Sequence, residues 1–291
     1  MANLREIRNR ISTVKSTQQI TKAMKMVAAA RLKKAQDRVV ALRPYAGTLK
    51  TVIGRLSGSP ESASKMLTPV DAPSNVLLIV IGSDRGLCGG FNSNLFRFAE
   101  EEIRVRFADV KESGNLHLIT LGRKANDYFR RRGYTIVQSH NGFFDRVNYD
   151  ATARITKQAT DLFLNGTYDA VHLVYNEFKS VIAQNRMMEA FLPVAPSTSG
   201  SSSDLGDTLY EPSAADLLTN VLPLHLNTQL WRAVLESNAS EQGARMAAMD
   251  NATENASAII RELQLKYNQA RQAAITTELS EIVSGAEALN G

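Results

Sequence analysis

Leu32-Lys33-Lys34-Ala35-Gln36-Asp37-Arg38-Val39-Val40-Ala41-Leu42-Arg43-Pro44-Tyr45-Ala46-Gly47-Thr48-Leu49-Lys50-Thr51-Val52-Ile53-Gly54-Arg55-Leu56 is the stretch on which the fold turns. Leu32, Ala35, Val39, Leu42, Ala46, Leu49, Ile53 and Leu56 follow one another at alternating steps of 3 and 4. More than three heptads of this spacing predict a helix with a coiled-coil seam rather than a core helix. Pro44 is expected to kink it near Arg43, since its ring removes one backbone bond. Upstream the helix reads from Leu4, Ile7, Ile11 and Val14, with Asn3 and Glu6 at capping-box spacing, and then through a looser stripe of Ile20, Met24 and Val27.

The far end of the chain reads the same way. Pro212 suits a first helical position, and Ser213 with Asp216 offers a cap. Leu217, Val221, Leu224, Trp231 and Leu235 form one stripe, bent at Pro223. Past a register step near Asn238, Met246, Met249, Ala256, Ile260, Leu263, Tyr267, Ala270 and Ala274 continue it. Residues 239–258 are small or polar apart from Met246 and Met249, too little grease for a core but enough for a thin coiled coil. At the helical rise, residues 1–57 reach roughly 85 Å and residues 212–291 roughly 120 Å. If both start from the middle domain, they run antiparallel, and the C-terminal helix outreaches its partner by about 35 Å.

Between the loops at 57–62 and 196–203, strands alternate with helices. Val76–Ile81, His117–Leu121, Thr135–Val137 and Ala170–Tyr175 read as strands, with Met188–Val194 as a candidate edge strand. Helices are expected around Leu95–Phe107, Lys124–Arg131 and Tyr149–Leu164. The fold class is therefore α/β plus all-α: an antiparallel coiled coil of long terminal helices (1–57 and 212–291) with a central, doubly wound, Rossmann-like α/β domain over 75–195.

The net charge of +5 over 291 residues hides an uneven distribution. Residues 1–57 hold thirteen Lys or Arg against Glu6 and Asp37, a charge of +11 that leaves −6 for the remainder. So basic a segment attracts an acidic partner, whether nucleic acid, anionic lipid or an acidic protein surface. A basic coiled-coil nucleic-acid-binding protein is the alternative reading, but no aromatic precedes Tyr45 and no nucleic-acid motif appears. The single Cys88 excludes an intrachain disulfide or a Cys-based zinc site. The longest apolar run, Val76–Ile81, falls far short of a membrane span, and no signal-peptide core follows Met1, so an intracellular, unsecreted chain is expected.

Catalytic chemistry is sparse. The loop Gly82-Ser83-Asp84-Arg85-Gly86-Leu87-Cys88-Gly89-Gly90-Phe91-Asn92 leaves a strand and opens a helix, where phosphate loops sit. It lacks both the Gly-Lys-Ser/Thr of a P-loop and the dinucleotide glycine spacing, so tight-turn packing is favoured over a nucleotide site. His117, His140, His172 and His225 are scattered without metal-ligand spacing. Cys88 has no adjacent His to activate it and reads as a buried thiol. Glu100, Glu101 and Glu102 read as solvated helix charge. Neither a cofactor nor a metal is expected.

Specific blocks resemble a known family. Leu4-Arg5-Glu6-Ile7-Arg8, Thr17 through Ala28, Ser83 through Asn92, Tyr210-Glu211-Pro212, Ser240-Glu241-Gln242 with Arg245-Met246, and Ile282-Val283-Ser284-Gly285-Ala286 are similar to the gamma subunit of F-type ATP synthases from end to end. The resemblance implies a non-catalytic central rotor shaft. Its coiled coil enters a ring of three alpha and three beta subunits, its α/β foot binds the epsilon subunit and sits on the c ring, and proton flow drives ATP synthesis through it. It further implies Arg245, Arg271, Gln272 and Thr276 as polar catches to beta, Met24 and Lys25 near beta's acidic loop, and Tyr210 and Glu211 at the c ring. The tip residues Ala273, Ile275, Leu279, Ile282, Val283 and Leu289 would rest in an apolar collar. With Cys88 alone the chain lacks the regulatory cysteine pair of the chloroplast type. The implied location is peripheral, on the cytoplasmic face of a bacterial plasma membrane or the matrix face of the mitochondrial inner membrane.

Overall fold

The structure, a computed structural model, describes residues 4–57, 64–68, 70, 72–181, 183–194 and 213–290. Asn3, Pro212, Tyr210 and Glu211 lie outside the described residues, as do most of both connecting loops. The main elements are α1 (Leu4–Ser57), β1 (Val76–Ile81), α2 (Phe91–Arg106), α3 (Ala108–Glu112), β2 (Leu116–Leu121), α4 (Arg123–Arg131), β3 (Thr135–His140), α5 (Tyr149–Leu164), β4 (Ala170–Phe178), β5 (Gln184–Leu192) and α6 (Ala214–Asn290). They divide into two compact units, one of residues 29–245 and one of residues 1–28 with 246–291.

In the larger unit, one sheet runs β3-β2-β1-β4-β5. β1 pairs in parallel with β2 and β4, and β2 with β3. β5 is antiparallel to β4, because the short connection from Phe178 to Gln184 has no room for a crossover. It begins at Gln184, four residues earlier than the apolar run at Met188 suggests, since an edge strand tolerates polar residues. β1 is buried along its whole length, as a central parallel strand covered on both faces must be.

The period of two sends alternate residues of β1 into separate cores. Leu77, Ile79 and Ile81 pack with Ile155, Ala159 and Phe163 of α5, Leu218, Leu222, Leu226 and Leu230 of α6, and Ile53 of α1. Val76, Leu78 and Val80 pack with Leu95, Phe96, Ala99 and Ile103 of α2 and Ala125 and Phe129 of α4. Helices on both faces make the sheet doubly wound.

The seam read from Leu32 holds: Leu32, Ala35, Val39, Leu49 and Ile53 are buried, with Leu42 and Ala46 half-buried. Both helices continue through their prolines, Pro44 and Pro223, which sit on exposed sides where a freed carbonyl stays in water. Two expectations for α6 fail. Leu224 is exposed, and the buried edge runs through Leu218, Leu222, Leu226 and Leu230, the residues that meet the sheet. Residues 239–243, read as too polar for a core, are all buried. There Ser240 bonds to the Asn176 carbonyl, Glu241 pairs with Arg245, and Gly243 lies against Phe178 and Val181.

In the smaller unit, α1 and α6 pair through a seam that stays in register where the apolar stripe loosens. Thr21 and Ala28 are buried, while Ile20 and Val27, assigned to the stripe from sequence, are 59% and 53% exposed. The steps of 3 and 4 pass instead through Gln18, Thr21, Lys25 and Ala28. On α6, Met249, Ala256, Ile260 and Leu263 are buried, and Met246, Thr253, Tyr267, Ala270 and Ala274 half-buried.

Candidate functional site

The glycine loop lies at the C-terminal ends of the parallel strands, where open α/β sheets bind ligands. Here the loop is filled from within. The Asp84 carboxylate accepts hydrogen bonds from the backbone amides of Arg123 (2.9 Å), Gly142 (2.7 Å) and Phe144 (2.8 Å). These are the donors an anion would seek after β2 and β3, and a carboxylate of the chain already holds them. Asn92 donates to the Ser83 hydroxyl at 2.7 Å and accepts from the Ser83 amide at 3.1 Å, closing the loop on the start of α2. Gly82 and Gly122 are packing positions: an added β-carbon would stand 2.9 Å from that of Ala125 in the first case and 2.8 Å from the Ser83 carbonyl in the second. Cys88 is buried beneath the loop. Burial pushes its thiol pKa up, reinforced by Glu241, which disfavours a nucleophilic thiolate.

α6 covers the same strand ends. The Ser237 hydroxyl donates to the Ile81 carbonyl at 3.2 Å, the Ser240 hydroxyl to that of Asn176 at 3.2 Å, and Gln184 donates to the Ser240 carbonyl at 3.2 Å. Glu236 accepts from the Phe178 amide at 3.0 Å, and burial pushes its carboxyl pKa up. Arg232 reaches Glu189 of β5 at 2.8 Å, and Tyr175 of β4 donates to the same carboxylate at 3.0 Å. Glu241 is pushed up by burial and pulled back by Arg245, 2.7 Å away. Arg245 also donates to the carbonyls of Arg85 and Gly86, at 3.4 and 3.2 Å. The Arg245 side chain, 11% exposed, is thus committed to Glu241 and the glycine loop. Of these contacts, sequence spacing signals only the i,i+4 pair of Glu241 and Arg245.

The polar seam of the smaller unit is built from three successive rungs. Gln18 donates to the Ser257 hydroxyl at 2.6 Å, Thr21 and Thr253 share a bond of 2.8 Å, and Lys25 meets Asp250 at 2.5 Å. Numbers rise on α1 as they fall on α6, so the pair is antiparallel. Met24 is half-buried beside these rungs. Continuing the register, Leu4 falls near residue 271, beyond which α6 has no partner among the described residues. Residues 275–286 are all exposed, with Ile275, Leu279, Ile282 and Val283 between 47% and 67%. Arg271, Gln272 and Thr276 are exposed at the start of this bare segment, the Thr276 hydroxyl donating to the Gln272 carbonyl at 3.0 Å. Among the described residues, no group of His, Cys, Asp and Glu forms a metal cluster, and no helix is long and apolar enough to cross a membrane.

A family model described as ATP synthase matches residues 3–289. The chain is 52% identical to the ATP synthase gamma chain of Prosthecochloris aestuarii over 292 residues, covering 100% of both. The chain belongs to the ATP synthase gamma chain family. It is 49% identical to the gamma chain of Chloroherpeton thalassium over 300 residues, covering 99% of each. Among solved structures, the central stalk and c-ring assembly of the Tetrahymena thermophila mitochondrial ATP synthase contains a chain with a TM-score of 0.60 at 28% identity, covering 80% of this chain and 99% of that one. A chain in the Euglena gracilis mitochondrial OSCP/F1/c-ring assembly shares the fold at a TM-score of 0.72 and 20% identity, covering 98% and 94%. Gamma-chain membership agrees with an architecture of long terminal helices around a mainly parallel sheet. Nothing in these comparisons favours the nucleic-acid alternative.

Proposed function

We propose that the chain is the central rotor shaft of an F-type ATP synthase, transmitting torque between a proton-driven c ring and a head of three alpha and three beta subunits. The observation that carries this reading is the end-to-end family match, joined to an antiparallel helix pair whose longer member stands bare past its partner. A shaft turning inside a sleeve needs a thin seam, and this one interleaves Gln18, Thr21, Ala28, Thr253, Ala256 and Ser257 with the larger Met249, Ile260 and Leu263. The chain itself is non-catalytic in this reading. In support, the strand ends where a nucleotide would bind are occupied by Asp84 and crossed by α6.

Within the assembly, Arg271, Gln272 and Thr276 are the exposed polar residues offered to beta, and the basic face of α1 around Met24 and Lys25 faces beta's acidic loop. Arg245 belongs to the same set; to meet beta it must share or release its contacts with Arg85 and Gly86. Tyr210 and Glu211 are assigned to the c ring, and the epsilon subunit to the α/β domain. Membrane association is indirect, through the c ring, on the cytoplasmic face of a bacterial plasma membrane or the matrix face of a mitochondrial inner membrane.

Co-expression with alpha and beta subunits tests the reading. One copy is expected to co-elute with three of each in a complex that hydrolyses ATP, while the chain alone shows no turnover. Elution apart from alpha and beta overturns it.

A further inference from the structure

One cleft in the larger unit takes no part in the rotor reading. It measures about 670 Å³ and opens between α1, the segment leading into α5, and α6. Arg38 of α1 and Arg146 before α5 line it from different elements, and Leu42, Tyr149, Trp231 and Leu235 supply an apolar and aromatic wall. The Tyr149 and Trp231 rings meet edge to face, at 5.7 Å and 88°. Trp231 is half-buried against the core, and Leu235 is fully buried.

The charge of the cleft is unbalanced. Of the nearby acids on the same elements, three are held by other cations: Asp37 by Lys33 at 2.9 Å, Asp145 by Arg85 at 3.0 Å, and Glu236 by Arg43 at 3.9 Å. Asp150, in the first turn of α5, is the remaining acid close by. Among the described residues, neither Arg38 nor Arg146 forms an ion pair. Two free guanidiniums on separate elements suit an extended anion better than a single carboxylate. A planar ring has Trp231 to stack on.

From this combination we propose that the cleft binds a nucleoside phosphate, with the base against Trp231 and the phosphates between Arg38 and Arg146. The site is separate from the glycine loop, whose Asp84 already holds the amides of Arg123, Gly142 and Phe144. It also goes beyond the rotor reading, because it requires only the chain itself.

Trp231 is the only tryptophan, so its emission reports the site directly. The purified full chain is titrated with ATP, ADP, tripolyphosphate and adenosine, with equilibrium dialysis of labelled ATP as a second readout. Saturable quenching by ATP or ADP is expected, with weaker binding of tripolyphosphate and of adenosine. Arg38→Ala and Arg146→Ala, both at exposed positions, are each expected to weaken nucleotide binding about tenfold. Trp231→Leu should weaken binding in the dialysis assay. The proposal is overturned if no nucleotide binds saturably up to millimolar concentration, if tripolyphosphate alone binds as tightly as ATP, or if the arginine variants bind with unchanged affinity.

Discussion

Replacing Asp84 by Ala removes one carboxylate and leaves three backbone amides, those of Arg123, Gly142 and Phe144, without their acceptor. The amides of Gly142 and Phe144 are half-buried in these bonds and that of Arg123 is exposed, so water replaces the lost acceptor fully only at Arg123. At about 1–1.5 kcal/mol for each half-buried donor and about 0.5 kcal/mol for the exposed one, the loss is about 3 kcal/mol. Asp84→Asn keeps one oxygen but turns an amide group toward a donor, and is expected to lose roughly half as much. The assay is urea unfolding of the full chain followed by Trp231 emission, since Trp231 packs against the core of the same unit. With a slope of about 2 kcal/mol per molar urea, the Ala midpoint should fall by about 1.5 M and the Asn midpoint by about half of that. An Ala midpoint within about 0.3 M of the unsubstituted chain would refute the idea that the carboxylate holds the three loops together.

The remaining predictions concern distinct features of the chain. Gly122 has φ +94 and a β-carbon position 2.8 Å from the Ser83 carbonyl, so Gly122→Ala should destabilise by about 2–4 kcal/mol in the same urea assay. Burial, aided by Arg106, lowers the His172 pKa to about 4. The unfolded chain therefore binds more protons between about pH 4 and 6.5, and stability should fall by about 2 kcal/mol from pH 8 to pH 5 on this group's account. His172→Gln should flatten that slope, measured as unfolding midpoint against pH. Deleting residues 277–291 removes a segment whose described side chains are all exposed, so the isolated chain's midpoint should stay within about 0.5 kcal/mol.

The periodic parts of the molecule were legible from residue spacing alone. The seam from Leu32 to Ile53, the strand at Val76–Ile81 and the helix at Tyr149–Leu164 appear where pattern places them, because burial on one side imposes that pattern. What escaped has a common cause in polar groups satisfied at a distance. Gln18, Thr21 and Lys25 keep the 3–4 spacing of α1, but their partners lie more than two hundred residues away, so the seam looked broken and Ile20 and Val27 took their place. Ser240 sits in a run that looked too hydrophilic to bury, because its partner is a main-chain carbonyl of β4, that of Asn176. Asp84 sits in a loop that pattern flags only for its glycines, and Arg245 carries no local sign that its guanidinium turns back on that loop. The edge strand's orientation follows from a connection too short for a crossover, and its polar start hid its true beginning.

The three rungs have a consequence for how the helix pair responds to load. A purely apolar seam repeats every heptad, so one helix can slide past its neighbour by seven residues and find nearly the same grease. Here such a slip would set Lys25 against Ser257 in place of Asp250, and Thr21 against Ile260 in place of Thr253. The cross-helix partners would be lost, as polar residues at seam positions enforce a single alignment. The rungs act as teeth on a key: they index one helix against the other, so that a twist entering at one end leaves at the other with its phase intact.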